Sequence, residues 1–164
     1  MLLLTALILG VAAWFDIATR MIPDRCSVAL LLVGITERLA FGPVAVVTSI
    51  CCAIVLSFFF LFLHARGMIG GGDVKLIVAL AAGTAPLALW DLIFAIVMAG
   101  GALSVLYFVL YRVAPRPALR PHAPLPMRVV IVETNRIARR GPLPYAVAIA
   151  VGAIISGLLG GDLA

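Results

Sequence analysis

Charged side chains are scarce in this sequence: they make up 12% of its 164 residues, whereas soluble domains contain about 25%. The mean hydropathy is +1.25, and 65% of the residues are hydrophobic. This composition excludes an ordinary soluble domain and predicts a polytopic membrane protein. The length leaves room for about six spans of roughly 20 residues, and for no separate soluble domain. We therefore expect a single integral-membrane domain over residues 1–164.

Metal-binding and disulfide-forming side chains are also few. The three cysteines form no C-x-x-C pair and are accompanied by only two histidines, so neither a zinc site nor a disulfide framework is predicted. The first apolar run has no basic segment ahead of it, and we expect a span there rather than a cleaved signal peptide. The net charge of +5 is divided among short connections. No nucleic acid partner is therefore predicted, and the expected surroundings are the lipid bilayer.

Apolar runs separated by glycine, proline and charged residues predict the spans. They cover residues 2–18, 26–41, 44–63, 73–89, 91–112 and 143–160. The fourth run is interrupted by Gly83 and Pro86. It allows either a full span or a half-span followed by a bend that protein covers.

The basic residues predict the orientation of these spans. All 12 except Arg38 lie in or beside odd-numbered connections. By the positive-inside rule the odd connections face the cytoplasm, which places both termini outside it. Asp16 and Asp73 then lie on the same, cytoplasmic side.

Residues 114–142 form the one sizeable segment outside the predicted spans, a basic cytoplasmic loop. Its first half contains prolines that are expected to break any helix, namely Pro115, Pro117, Pro121, Pro124 and Pro126. Apolar residues then recur at helical spacing between Met127 and Ala138. The second half is either an interfacial amphipathic helix or a basic linker that only determines topology.

Two acidic motifs stand out against this apolar background. Asp73 lies in Gly70-Gly71-Gly72-Asp73-Val74-Lys75, and Asp16 is followed six residues later by Ile22-Pro23. Carboxylates at membrane depth are costly, rare and usually functional. We expect Asp16 just below the cytoplasmic interface, because the first helix has risen only about 22 Å of a roughly 30 Å hydrocarbon core at that point. The consecutive glycines are expected to allow positive φ and a close backbone approach beside Asp73.

Each of these charged residues also has a purely structural explanation. Asp73 is suited to cap a helix N-terminus, and Asp16 is suited to pair with Arg20 one turn later. Lys75 either anchors its helix at the interface or supports the site, by stabilising an ionised carboxylate or contacting an acidic group of a substrate. Together the structural explanations leave the glycine run and the shared side of the two aspartates unexplained. Two carboxylates brought close together share a proton, so one can activate water while the other protonates a leaving amide.

These residues resemble the motifs of type IV prepilin peptidases, members of the GxGD class of intramembrane aspartyl proteases. The stretch from Gly70 to Lys75 matches G-x-G-D and its usual continuation, and Asp16 with Ile22-Pro23 resembles the first-aspartate motif. Pro144-Tyr145 resembles the P-Y element before the final helix. The resemblance implies an all-α bundle of about six spans with Asp16 and Asp73 as the catalytic residues.

The same resemblance implies the reaction and its setting. The enzyme would be an aspartic endopeptidase of the bacterial inner membrane, with no metal or organic cofactor. At the cytoplasmic face it would remove the basic leader that precedes the hydrophobic helix of prepilin-like substrates. Other motif residues would position the site or the substrate, namely Gly70, Gly72, Lys75, Pro23, Asp24, Pro144 and Tyr145.

The sequence departs from this family in two respects. Larger members carry paired C-x-x-C motifs associated with N-methylation; these are missing here, so no methyltransferase activity is implied. The chain is similar instead to the compact, peptidase-only branch of Flp (tight adherence) pilus systems. Asp24 stands where the family usually has Asn, which makes it a possible competitor of Asp16.

Two alternative functions, from other classes of membrane protein, remain. One is a small proton-coupled transporter or channel component that uses Asp16 and Asp73 as a proton relay. The other is a non-catalytic assembly subunit of a secretion system, for which the motif around Asp73 would have no purpose.

Overall fold

A computed structural model describes residues 2–113, 125–138 and 143–160, and every regular element in these ranges is a helix. The helices are α1 (Leu2–Thr19), α2 (Asp24–Leu39), α3 (Pro43–Ala65), α4 (Gly71–Gly83), α5 (Leu89–Val113), α6 (Leu125–Ala138) and α7 (Tyr145–Gly160). The predicted all-α fold is confirmed. Residues 114–124 and 139–142 lie outside the described residues. They include most of the loop half that the prolines are predicted to break, and the arginines at 139 and 140.

A helix lies at each of the predicted spans, but the helices differ in length. In the described ranges, α1, α3 and α5 are long and apolar enough to cross a membrane, and α7 is a shorter apolar helix. Helix α2 has 16 residues and α4 has 13, fewer than the roughly 20 of a typical span. The protein is therefore a helical membrane protein, and its exact number of spans stays a prediction.

Helix α4 ends at Gly83, although its apolar run extends to residue 89. Thr84 is extended, with ψ of 143°, and Pro86 follows. Proline has no N–H for the helix ladder and disfavours the helical conformation of the residue before it. The chain therefore bends after a helix of half-span length, which is one of the two lengths that the sequence allows.

Helix α4 occupies the centre of the bundle. It packs against α2, α3 and α7, while α1 packs against α2 and α7 and α5 packs against α7. More than half of its residues are buried: Val74, Leu76, Ile77, Ala79, Leu80, Ala81 and Ala82. The outer faces of α3 and α5 instead expose large apolar side chains such as Phe58 and Phe94. Exposed apolar surface of this extent is suited to contact with lipid.

A glycine pair sets the approach of α2 to α4. A Cβ atom added to Gly34 would lie 2.6 Å from the Cα atom of Gly83. Only residues without a side chain fit at this crossing, and small residues at helix contacts allow close backbone packing in membranes.

Helix α6 lies in the basic loop, as the helical alternative of the sequence analysis predicted, and packs against α1 and α5. The prediction that Pro126 breaks the helix is wrong, because Pro126 lies inside its first turn. A first-turn residue has no intrahelical partner for its N–H, so proline is tolerated there. A position of α6 at the membrane interface stays a prediction.

Candidate active site

Asp16 lies in the last turn of α1 and is 7% exposed. Its Oδ2 atom accepts a hydrogen bond of 3.1 Å from the backbone N–H of Ala146, the second residue of α7. The first N–H groups of a helix have no intrahelical partner and carry partial positive charge, so they stabilise a carboxylate. The end of α1 is thereby joined to the beginning of α7 at a buried acidic group.

Asp73 lies in the first turn of α4, three residues after the N-cap Gly70. Its carboxylate accepts a hydrogen bond from the backbone of Gly70, the geometry with which acidic residues at this position cap a helix. Capping of α4 therefore accounts for one of the two carboxylate oxygens of Asp73. The other oxygen, Oδ1, is buried and has no hydrogen-bond partner among the described residues. A buried polar atom without a partner is uncommon in native structures and calls for a functional explanation.

The two aspartates lie near each other at one end of the bundle. Asp73 is within electrostatic range of Asp16, although α1 and α4 are separated along the chain by two whole helices. Both helices pack against α2 and α7, so the end of α1 and the beginning of α4 are held beside the same N-terminus of α7. The structure thus places Asp16 and Asp73 near each other, and the prediction that they act as a catalytic pair stays a prediction.

The predicted P-Y element forms the third side of this site. Pro144 is buried and precedes α7, while Tyr145 is its first residue. The phenol of Tyr145 lies within electrostatic range of the Asp73 carboxylate. The Tyr145 ring lies against α5, where a Cβ atom added to Gly100 would be 2.8 Å from the phenol oxygen.

The glycines before Asp73 provide space rather than unusual backbone angles. The prediction of positive φ is wrong for them: Gly70 has φ of −68°, and positive φ occurs at Gly42 and Gly67 among the described glycines. A Cβ atom on Gly72 would lie 3.1 Å from Cδ1 of Ile22, and one on Gly70 would lie 2.8 Å from Oδ2 of Asp73. The first turn of α4 can therefore press against the Ile22-Pro23 motif because Gly72 has no side chain.

Asp24 and Lys75 form a separate pair. The Nζ atom of Lys75 lies 2.6 Å from Oδ1 of Asp24, and the two side chains are 56% and 71% exposed. Pro23 is the N-cap of α2, so it directs Asp24 onto the first turn of that helix. The acidic motif residues thus have different environments: Asp16 is buried and Asp73 is partly buried, whereas Asp24 is exposed and forms an ion pair with Lys75.

Sequence reasoning missed a cluster around Glu133 of α6. Its Oε1 atom accepts hydrogen bonds from Arg20 at 2.6 Å and from the Tyr107 hydroxyl at 2.7 Å. Its Oε2 atom accepts a bond of 3.2 Å from Arg136, and Arg136 also donates to the carbonyl of Ile17 at 2.8 Å. One signal was available, because Glu133 is the sole acidic residue between Asp91 and Asp162.

The conformation of Arg20 is also unusual. This residue follows the last residue of α1 and has φ of 58°. A left-handed residue commonly ends a helix, but glycine is the usual choice, and other residues cost roughly 1–3 kcal/mol there. Arg20 is thus held in place by its surroundings.

The family model that describes the type IV leader peptidase family matches residues 3–110, which include α1 through most of α5. No curated protein and no solved structure matches the chain. The matched residues contain Asp16 and Asp73, whereas Glu133 and the beginning of α7 lie beyond them.

Proposed function

The chain belongs to the type IV leader peptidase family, and we propose that it is an aspartic endopeptidase that removes the N-terminal leader of prepilin-like substrates. As a member of this family it is a peptidase. The observation that carries the aspartic mechanism is the proximity of two aspartates from helices that are distant along the chain. Asp16 is buried against the N-terminus of α7, and Asp73 lies within range of its charge with one buried oxygen unpartnered.

In this mechanism the two carboxylates share one proton. We assign the negative charge to Asp16, whose carboxylate accepts a backbone N–H at the N-terminus of α7, so that it takes a proton from the attacking water. Asp73, whose Oδ1 is free, donates the shared proton to the scissile amide. Water attack forms the new C–O bond, and the C–N bond breaks as the amine leaves protonated.

The remaining motif residues position these groups and the substrate. Gly70 caps the helix that carries Asp73, and Gly72 lets that helix press against Ile22. Pro144 and Tyr145 begin the helix whose N-terminus holds Asp16. Asp24 and Lys75, paired and exposed, are suited to contact substrate near the site.

The cytoplasmic face of a bacterial inner membrane is the proposed location of cleavage. The distribution of basic residues supports this side, since all 12 except Arg38 lie in or beside odd-numbered connections and such residues favour the cytoplasm. The proposed substrates carry a short basic leader before an apolar helix.

The test is cleavage of such a substrate by the purified protein in detergent or liposomes. Wild-type protein should yield two products at a single peptide bond, as measured by mass spectrometry. Asp16→Asn and Asp73→Asn should each abolish cleavage with expression and thermal stability near wild type, because the amide keeps the size but cannot exchange the proton.

If either variant kept activity within about tenfold of wild type, a barrier change of only about 1.4 kcal/mol, the substituted aspartate would not be a member of the catalytic pair. If wild-type protein released no product, and proton flux in liposomes depended on both aspartates, the relay function would replace the peptidase proposal.

A further inference from the structure

Helix α6 contributes a single acidic side chain, largely shielded from solvent, to the region beside the aspartates. Glu133 is 12% exposed, and its partner Arg20 is 17% exposed. A buried carboxylate must be paired and hydrogen-bonded to offset the loss of its hydration. Glu133 meets this requirement with three donors from three different helical regions: Arg20 after α1, Tyr107 on α5 and Arg136 on α6.

The side-chain nitrogens of Arg20 differ in their hydrogen bonding. One of its terminal nitrogens, Nη2, donates to Glu133. Its other side-chain nitrogens, Nε and Nη1, are buried without a hydrogen-bond partner among the described residues. The same guanidinium lies within electrostatic range of both Asp16 and Asp73, and it stands against the opposite charge of Glu133, which is also within range of Asp16. Glu133 is therefore the group that holds a cation close to the proposed catalytic pair.

The backbone connects the same residues. The N–H of Arg20 donates to the carbonyl of Asp16 at 2.9 Å, so the position of Arg20 is tied to the turn of α1 that carries Asp16. Arg20 also has the left-handed φ of 58°, which persists only where contacts determine it. Arg136 also binds the last turn of α1, by donating to the carbonyl of Ile17 at 2.8 Å.

We propose that Glu133 is a positioning residue of the aspartate pair: it fixes the Arg20 guanidinium beside Asp16 and Asp73, which makes α6 a required part of the site. This inference rests on the proposed peptidase function. It assigns a role to a residue outside the matched residues 3–110. The alternative is that Glu133 only attaches α6 to the bundle.

A double-mutant cycle on Glu133 and Arg20 separates the two roles. Glu133→Gln keeps the side-chain shape but removes the charge, and Arg20→Met removes the cation. We expect Glu133→Gln to lower kcat about tenfold or more, as for loss of a charge-assisted hydrogen bond, with KM within about twofold of wild type. Because Glu133 acts through Arg20, the double variant should be no slower than Arg20→Met alone.

Thr134→Ala is the matched control on the same helix. The Thr134 hydroxyl donates to Val130 of α6 itself, at 2.8 Å, so this variant should keep wild-type kcat. Rates are compared per folded enzyme, from the thermal unfolding of each variant in detergent.

Four results would overturn the inference. The first is a wild-type kcat in Glu133→Gln or in Arg20→Met, and the second is a double variant in which the two single losses multiply. The third is a Glu133→Gln variant in which only KM changes. The fourth is a loss of kcat in Thr134→Ala equal to that in Glu133→Gln. Wild-type protein that cleaves no prepilin substrate would instead overturn the proposed function, and the inference with it.

Discussion

At the residue scale, the site depends on which carboxylates are buried. Asp16 is 7% exposed and bonded to the N-terminus of α7, whereas Asp24 is exposed and paired with Lys75. Burial strengthens the interaction of a charge with its neighbours because the local dielectric is low. The environment thus favours Asp16 over Asp24 as the partner of Asp73, although both aspartates flank the Ile22-Pro23 motif.

The first prediction concerns the exposed ion pair. Exposed salt bridges contribute only about 0–1 kcal/mol, so Asp24→Asn and Lys75→Met should each keep the cleavage rate within about tenfold of wild type. Lys75→Arg, which keeps the charge, is the control. A loss in Asp24→Asn as complete as in Asp16→Asn would reassign the first aspartate. A loss in Lys75→Met that Lys75→Arg does not share would give Lys75 an electrostatic role in the site.

The second prediction concerns Gly72. Its added Cβ atom would lie 3.1–3.4 Å from three atoms of Ile22, so a Val side chain must push the first turn of α4 away from that motif. A misplacement of about 1 Å can cost a factor of 10² in rate, and we expect a loss of that order. Gly10→Val is the control, since a Cβ atom at Gly10 would meet nothing within 4 Å.

Cross-linking gives the structural readout for Gly72→Val. Cysteines placed next to Asp16 and Asp73, in a background without the three native cysteines, should cross-link less readily in this variant. Normal turnover with unchanged cross-linking would show that the glycine run serves only as a connection.

At the scale of helices, α4 is short but central. Its 13 residues rise only about 20 Å, yet it packs against α2, α3 and α7. A helix of this length places Asp73 at one end and the bend after Gly83 at the other. Its position therefore depends on packing along its whole length, including the contact of Gly83 with Gly34.

The third prediction follows from that contact. Gly34→Ala places its Cβ atom 2.6 Å from backbone of Gly83, and backbone atoms cannot move aside as a flexible side chain can. Overpacking of this kind typically costs about 1–3 kcal/mol, so the thermal unfolding midpoint in detergent should fall. Gly101→Ala, where no atom lies within 4 Å, should unfold at or above the wild-type midpoint. A Gly34→Ala protein as stable as wild type would contradict the close packing of α2 on α4.

At the scale of the whole molecule, the apolar exterior and the basic connections together predict the orientation. The α3–α4 connection begins with Arg66 and leads to Asp73 at the start of α4. The α2–α3 connection lies at the other end of α3. Lys and Arg in short connections favour the cytoplasmic side. The aspartates should therefore face the cytoplasm.

The fourth prediction tests this orientation with single cysteines. In intact bacterial cells, a protein carrying Phe41→Cys in the α2–α3 connection should react with a membrane-impermeant thiol reagent. The matched Met68→Cys protein, with its cysteine in the α3–α4 connection, should react only after the cells are opened. Both original side chains are exposed. The reverse labelling pattern would place the aspartates on the outer face.

The sequence by itself determined the helical membrane class and the places of the helices, and it predicted the two aspartates of the proposed site. These follow from local properties: apolar runs, helix-breaking residues, and carboxylates whose cost in an apolar setting is expected only where they have a function. It also indicated that α4 could end early, because Pro86 disturbs the helix only at neighbouring residues of the same apolar run.

Only the tertiary structure decided what each carboxylate contacts. The bond from Ala146 to Asp16 joins residues 130 positions apart, and that from Arg20 to Glu133 joins residues 113 apart. No local pattern encodes such contacts, since they depend on how α1, α6 and α7 pack. Asp24 and Asp16 look alike in the sequence, because the packing that distinguishes them is not local. In the folded protein Asp24 is exposed and Asp16 is buried.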